Sequence, residues 1–267
     1  MYAFNFHRAE TLDQALELLL SCDDPKILAG GHTLLPTMKQ RLANPSDLVD
    51  IASIEALKGI QHNGAILSIG AMETHSQVAD SPIVKAIIPG LAALAGQIGD
   101  PHVRNRGTLG GSLANNDPTA DYPAACLALK AIVHTTRRQI NAEDFFTDMF
   151  ETALDDQEII TRVDFPVPEL SAYAKFPNPA SRYAIAGVFI AKTQNTVEVA
   201  VTGAGPVVFL AKDFAQALSR SFDPSALSGV AISPEGLNAD IHASAAFRAH
   251  LVGIMAQQAV STALNQT

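Results

Sequence analysis

Two glycine doublets, about eighty residues apart, constrain this chain more than any other feature of its sequence. The first lies in residues 29–36, Ala-Gly-Gly-His-Thr-Leu-Leu-Pro. The second lies in residues 108–118, Thr-Leu-Gly-Gly-Ser-Leu-Ala-Asn-Asn-Asp-Pro. Glycine permits positive φ angles and close approach of the backbone to a ligand, and the N–H groups freed in this way bind anions. Two such loops indicate one large phosphorylated ligand that is held at two points.

Neither doublet fits the common nucleotide-binding fingerprints. The Gly-x-Gly-x-x-Gly spacing is missing, and no Lys-Ser/Thr pair follows as in a P-loop. Residues 203–206, Gly-Ala-Gly-Pro, are interpreted as a turn at the end of a strand. A single glycine doublet is more often a simple turn than a ligand loop, so that alternative stays open for each loop taken alone.

Composition excludes several classes of function. The chain has 267 residues and a net charge of -9, and no segment is mostly basic, so we expect no nucleic-acid partner. It shows no signal-peptide pattern at the start and no apolar run of the roughly 18 residues that a membrane span needs, so we expect a cytoplasmic protein. Cys22 and Cys126 are predicted to be buried on helices, and two thiols cannot ligate an iron–sulfur cluster.

The hydrophobic pattern and the turn residues predict an α+β protein that is built from three successive units. Residues 1–55 read as a small α/β unit that contains the first glycine loop. Residues 56–167 read as a second, α+β unit, with an Asn-Gly hairpin at 63–64 and helices divided by Pro89-Gly90. The proline pair at 166–168 ends this part.

The remaining residues, 168–267, predict a domain with a small antiparallel sheet and helices. Strands are expected on both sides of a turn at Gln194-Asn195. A final helix is expected over 240–262, with an apolar stripe formed by Ala243, Phe247, Leu251, Ile254 and Met255.

The two glycine segments, read with their surroundings, resemble one known family. The residues that carry the resemblance are 29–36 with Met38-Lys39 and 48–51, and 106–114 with Asp117-Pro118 and Ala120-Asp121. The family is the FAD-binding medium subunit of molybdenum hydroxylases, which includes carbon monoxide dehydrogenase and relatives of xanthine dehydrogenase. The resemblance covers nearly the whole chain. It implies a two-part PCMH-type FAD-binding domain over residues 1–167, and a C-terminal domain of the carbon monoxide dehydrogenase flavoprotein type over 168–267.

The resemblance also implies roles for individual residues. Backbone N–H groups of the first loop would receive the FAD pyrophosphate, the second loop would pass the other side of the cofactor, and Asp121 would be an acidic flavin contact. Lys175 would lie near the flavin and stabilise charge on the reduced ring, and Tyr183 would shield the ring face. The full set of implied cofactor contacts is Leu28, Ala29, Gly30, Gly31, His32, Thr33, Leu34, Ile98, Thr108, Gly110, Gly111, Ser112, Asn115, Asp121, Ile160, Lys175 and Tyr183.

Simpler roles compete with several of these assignments. Asp121 is also placed to cap the helix that it begins, Lys175 to be a solvated strand residue, and Ile98 and Ile160 to be ordinary core. His32 raises the alternative of a covalent flavin link, which the family usually lacks.

At the level of function, the resemblance implies an electron-transfer subunit. A small subunit with [2Fe–2S] clusters would supply electrons, a large subunit with the molybdenum cofactor would hydroxylate the substrate, and the assembly would be a heterotrimer or its dimer. No metal site and no catalytic acid or base is expected on this chain. Two other readings remain: a stand-alone FAD-dependent oxidase or reductase, and a binding module without cofactor.

Overall fold

The computed structural model describes residues 1–194 and 196–266, and within them the strands form four separate sheets. Asn195, which was expected in the turn of the last hairpin, falls outside the described residues. Within residues 1–194 and 196–266, no helix is both long enough and apolar enough to cross a lipid bilayer.

The first region is built on a three-stranded parallel sheet in the order β1-β3-β2. The hydroxyl of Thr11 accepts a hydrogen bond from the N–H of Gln14 and so starts the first helix, which buries Ala15 and Leu19. The helix after the first glycine loop ends at Lys39, and Arg41 just beyond it has a φ of 61°. The elements are β1 (Asn5–Arg8), α1 (Leu12–Ser21), β2 (Pro25–Leu28), α2 (Leu34–Lys39) and β3 (Asp47–Asp50).

The second region surrounds a five-stranded antiparallel sheet in the order β4-β5-β10-β6-β7, with helices packed against it. Pro82 and Pro89 each open a helix, where a missing N–H costs nothing. The elements are β4 (Ile60–His62), β5 (Ile66–Gly70), α3 (His75–Asp80), α4 (Pro82–Ile87), α5 (Pro89–Gly96), α6 (Pro101–Arg104), α7 (Leu109–Asn115), α8 (Tyr122–Ala128), β6 (Ile132–Thr135), β7 (Gln139–Asn141), α9 (Ala142–Phe145), β8 (Phe146–Asp148), β9 (Glu151–Thr152) and β10 (Ile160–Pro166).

The third region is a four-stranded antiparallel sheet, in the order β11-β12-β13-β14, with the long last helix packed on one face. Its elements are β11 (Leu170–Pro177), β12 (Ala184–Lys192), β13 (Val197–Thr202), β14 (Phe209–Leu210), α10 (Lys212–Arg220) and α11 (Ala245–Leu264). The sheet also contacts the second region: the Gly203 N–H donates to the carbonyl of Pro118, and the Thr202 hydroxyl donates to the carbonyl of Ala120.

The last helix differs from the sequence prediction in its start and in its buried face. It begins at Ala245, because Ser244 caps it by accepting a hydrogen bond from the N–H of Phe247. Phe247 and Ile254 are 42% and 43% exposed, so they lie outside the buried stripe. Arg248 is buried instead, since its guanidinium donates to two backbone carbonyls and to the Asp240 carboxylate.

The two cysteines also differ from one another. Cys126 is fully buried on α8, as predicted. Cys22 was expected to be a buried helical residue, but it follows the last turn of α1 as its C-cap and is only half-buried.

Candidate functional site: a cleft between two glycine loops

The first glycine loop follows β2 at the carboxyl end of the parallel sheet, a position where such sheets bind ligands. Gly31 has a φ of 72°, which turns the chain before α2. Among the described residues, none accepts a hydrogen bond from the N–H groups of Gly31, His32, Thr33 or Leu34. The loop therefore presents a row of free donors, as an anion site requires.

The second glycine loop uses its N–H groups within the protein. The N–H of Leu109 donates to the carbonyl of Glu73, and the N–H of Gly110 donates to the carbonyl of Ala71. The N–H of Gly111 donates to the hydroxyl of Thr108, which caps α7. Because these N–H groups already have acceptors within the protein, the second loop does not form a second anion-binding site.

The first loop packs against the residues just before the second loop, and the second loop packs against Ala71. A Cβ at Gly30 would overlap the carbonyl oxygen of Arg106, and a Cβ at Gly110 would lie 2.7 Å from the Cβ of Ala71. These two glycines are therefore required by contacts between protein segments. By contrast, a Cβ at Gly111 would meet only the Thr108 hydroxyl at 2.9 Å and the Ala29 Cβ at 3.8 Å.

Between the loops lies a cleft of about 920 Å³, which is within the range of cavities that hold small-molecule cofactors. Every residue that the sequence analysis assigned to the cofactor lines this cleft except Lys175. Ser112 and Asn115 lie one helical turn apart on α7 and make no side-chain hydrogen bond within the described residues. Tyr183 is 47% exposed at the cleft wall.

Asp121 is buried where the cleft meets the third region. Its side chain makes no helix-capping hydrogen bond, so the capping interpretation is wrong. The Tyr173 hydroxyl donates to Asp121 Oδ1, and Lys175 Nζ lies 3.1 Å from the same oxygen. Burial raises the pKa of Asp121, while the charge of Lys175 and the hydrogen bond from Tyr173 act in the opposite direction.

Lys175 does not fit the alternative of a solvated strand residue, because its side chain is only 2% exposed. Its ammonium also donates to the carbonyl of Gln97 at 2.8 Å. Both contacts hold the cation behind Asp121 and away from the lining of the cleft.

Sequence reasoning missed His75, which lines the cleft beneath the second loop. The backbone N–H of His75 donates to the carbonyl of Gly107, and its imidazole ring would overlap a Cβ at that glycine. Burial lowers the pKa of His75 to about 4, so the ring is neutral near pH 7. Thr74 and Gln77 form a capping box that marks the start of α3 at His75, but this local pattern says nothing about the distant loop.

Acidic side chains outside the glycine loops also line the cleft, among them Asp23, Asp24, Asp155 and Asp156. Two of them have cationic neighbours: Asp24 lies 3.9 Å from Lys26, and Asp155 lies 3.5 Å from Arg138. Because the first glycine loop offers free N–H groups instead of carboxylates, an anionic ligand fits best with its phosphates at that loop.

Among the described residues, one group of metal-ligand atoms lies close together: His7, Cys22 and Asp47, within 4.8 Å of one another. Both carboxylate oxygens of Asp47 already have hydrogen-bond partners, namely Asn5 and His7 on Oδ1 and Ser46 on Oδ2. The hydrogen bonds from Ser46, His7 and Asn5 lower the pKa of Asp47 to about 2.

Comparison with known proteins shows the family to which the chain belongs. The family model described as the FAD binding domain in molybdopterin dehydrogenase matches residues 2–168. The chain belongs to this family. It is therefore an FAD-binding flavoprotein, and the resemblance inferred from the glycine segments is confirmed.

Relatives of known function extend the similarity over the full length. The chain is 34% identical to the carbon monoxide dehydrogenase medium chain of Hydrogenophaga pseudoflava, over 97% of this chain and 96% of that one. It is 34% identical to the nicotine 6-hydroxylase medium subunit of Paenarthrobacter nicotinovorans, over 94% and 93%. A chain of reconstituted CO dehydrogenase from Oligotropha carboxidovorans matches with a TM-score of 0.90 and 29% identity, over 100% and 99%.

These similarities confirm the predicted α+β fold class. The flavoprotein is an FAD-binding medium subunit of the molybdenum hydroxylase type, that is, an oxidoreductase subunit of a molybdenum-dependent dehydrogenase. Its relatives are medium subunits of multi-subunit complexes.

Proposed function

We propose that FAD binds along the cleft between the two glycine loops and passes electrons through a multi-subunit molybdenum hydroxylase. The observation that carries this proposal is the row of free N–H groups in residues 31–34, beside a cleft of cofactor size. These donors would bind the pyrophosphate, while Ser112 and Asn115 offer free polar side chains from the opposite wall.

FAD supplies the chemistry that couples one-electron and two-electron carriers. The protein residues bind and orient it: the closed second loop shapes one wall, and Ile98 and Ile160 contribute apolar surface. Two cysteines, one fully buried and one half-buried, cannot ligate a [2Fe–2S] cluster. We therefore infer that a small partner subunit carries the clusters and a large one carries the molybdenum cofactor, in a heterotrimer or its dimer.

We also propose the domain division at residues 167 and 168, with the FAD-binding part before it and the C-terminal part after it. The change from the five-stranded sheet to the four-stranded sheet, between the end of β10 and the start of β11, supports this division. A cytoplasmic location for the complex is part of the same proposal.

The test uses the complex purified from native cells through a tag on this chain, with either the wild-type sequence or Gly31→Val. The wild-type chain is expected to bring down iron and molybdenum. The iron–sulfur clusters of the complex, once reduced with dithionite, should be reoxidised rapidly by oxygen, a quinone or NAD⁺. The Gly31→Val complex should keep the metals, lose FAD and reoxidise its clusters slowly. Absence of both metals, or fast reoxidation without flavin, would contradict the proposal.

A further inference from the structure

The carboxylate of Asp121 is held by two side chains that come from a different sheet. Tyr173 and Lys175 are two residues apart on β11, so they project from the same face of the strand. The Tyr173 hydroxyl donates to Asp121 Oδ1, and Lys175 Nζ lies 3.1 Å from Oδ1 and 3.2 Å from Oδ2. All three side chains are buried, but only Asp121 lines the cleft.

We propose that Tyr173 is a positioning residue which, together with Lys175, holds Asp121 as an ionised hydrogen-bond acceptor that faces bound FAD. This inference rests on the proposed function, since it requires FAD to occupy the cleft. An ionised carboxylate has about four lone-pair sites, so the contacts with Tyr173 and Lys175 leave capacity for an N–H or O–H donor of the cofactor. Because β11 follows residue 168, the third region completes a site that the family-matching residues 2–168 only begin.

The arrangement gives Lys175 an indirect role. Its positive charge is paired with the negative charge of Asp121, so the pair is neutral as a unit. Removing either partner of a buried ion pair leaves an uncompensated charge, which the protein relieves by a change of protonation. The titratable groups that face Asp121 are Lys175 and Tyr173 on β11, Tyr183 at the cleft wall, and Tyr122 on its own helix. Among them, Lys175 and Tyr173 favour the ionised carboxylate.

The first test compares Tyr173→Phe with Tyr122→Phe. Both tyrosines are buried, but the Tyr122 hydroxyl has no hydrogen-bond partner among the described residues. Tyr122→Phe is therefore a matched control for the loss of a buried hydroxyl beside Asp121. Dissociation of FAD is measured by flavin fluorescence on the full chain across a range of pH.

Tyr173→Phe is expected to weaken FAD binding about tenfold, because one hydrogen bond to a charged group is lost. The deficit should be largest at low pH and shrink as pH rises, because Asp121 then becomes ionised without help. Tyr122→Phe should bind FAD like the wild-type chain. Wild-type affinity in Tyr173→Phe at every pH would overturn the inference.

A double-mutant cycle separates positioning from general packing. In an Asp121→Asn background, Tyr173→Phe should have no further effect on FAD affinity, since the acceptor that it orients has been replaced. An equal loss in both backgrounds would show that Tyr173 acts only through the fold and would overturn the inference.

The midpoint potential of the flavin tests the role of Lys175. In Lys175→Met, unpaired Asp121 adds negative charge as it ionises, so the potential should fall below that of the wild-type protein by an amount that grows with pH. A constant lowering at all pH values would mean that Lys175 acts directly on the reduced ring, and this would overturn the indirect role. If Gly31→Val retains FAD, the proposed binding cleft is contradicted. If Gly31→Val loses FAD while Tyr173→Phe binds FAD like the wild-type chain, only the positioning role of Tyr173 is overturned.

Discussion

The two glycine loops are similar in sequence, but their backbone N–H groups are hydrogen-bonded differently in the structure. Among the described residues, the first loop leaves the four successive N–H groups of residues 31–34 without protein partners. The second loop donates the N–H groups of Leu109 and Gly110 to Glu73 and Ala71, and those of Gly111 and Ser112 to Thr108 at its own start. A glycine doublet therefore fixes only what the backbone is permitted to do. Whether it binds a ligand or packs against another segment depends on which acceptors lie nearby.

The largest effect should come from the contact between the loops. Gly30→Ala forces a Cβ against the Arg106 carbonyl, so we expect it to lower the free energy of unfolding by about 3 kcal/mol. Gly111→Ala, whose Cβ meets mainly the Thr108 hydroxyl, is the matched variant, with an expected loss below about 1 kcal/mol. Urea unfolding of the FAD-free proteins measures both. Equal losses would show that the loops do not depend on this contact.

The second effect concerns His75, beneath the second loop. Its pKa is lowered from 6.5 to about 4, so its contribution to stability is complete above pH 6.5 and is lost as the pH falls toward 4. A lowering of the His75 pKa from 6.5 to about 4 corresponds to about 3 kcal/mol. His75→Gln should flatten the pH dependence of unfolding in this window. A wild-type slope in His75→Gln would refute the assignment.

The third effect is on ligand binding, and it distinguishes the two loops by whether they bind the phosphate groups of the ligand. Gly31→Val should weaken FAD binding about 100-fold, because the backbone of a β-branched residue is strained at the φ of 72° that aligns the free N–H groups. Riboflavin, which has no phosphate, should bind this variant almost as it binds the wild-type chain. Gly111→Val should weaken both ligands alike, since the second loop offers no free N–H groups for a phosphate. Titration by fluorescence quenching, with circular dichroism to confirm folding, decides between these outcomes.

The smallest effect compares the residues that precede the two loop helices. Thr108 caps α7, whereas Thr33 makes no side-chain capping bond at α2. We expect Thr108→Val to cost about 1 kcal/mol in the FAD-free protein, and Thr33→Val to change stability by less than about 0.5 kcal/mol. Urea midpoints measure the difference, and a larger loss for Thr33→Val would contradict the capping geometry.

Much of the fold was predictable because its cues are local. Asn63-Gly64 forms the expected hairpin, and Pro89 separates two helices as predicted. The errors fell where a longer-range contact decides the outcome. The last helix starts at Ala245 because Ser244 caps it and Arg248 is drawn inward to Asp240 and two carbonyls. The hydrophobic stripe alone does not contain that information.

The sequence by itself determined the family and the cofactor class, and every cofactor residue that it predicts except Lys175 lines the cleft, because the glycine segments are continuous motifs. Only the tertiary structure decided how the parts are used. It closed the second loop on Ala71 and Glu73, brought His75 beneath it, and placed Tyr173 and Lys175 against Asp121. These contacts join residues far apart in the chain, and their acceptors, burial and charge pairing exist only once the separate sheets have packed together.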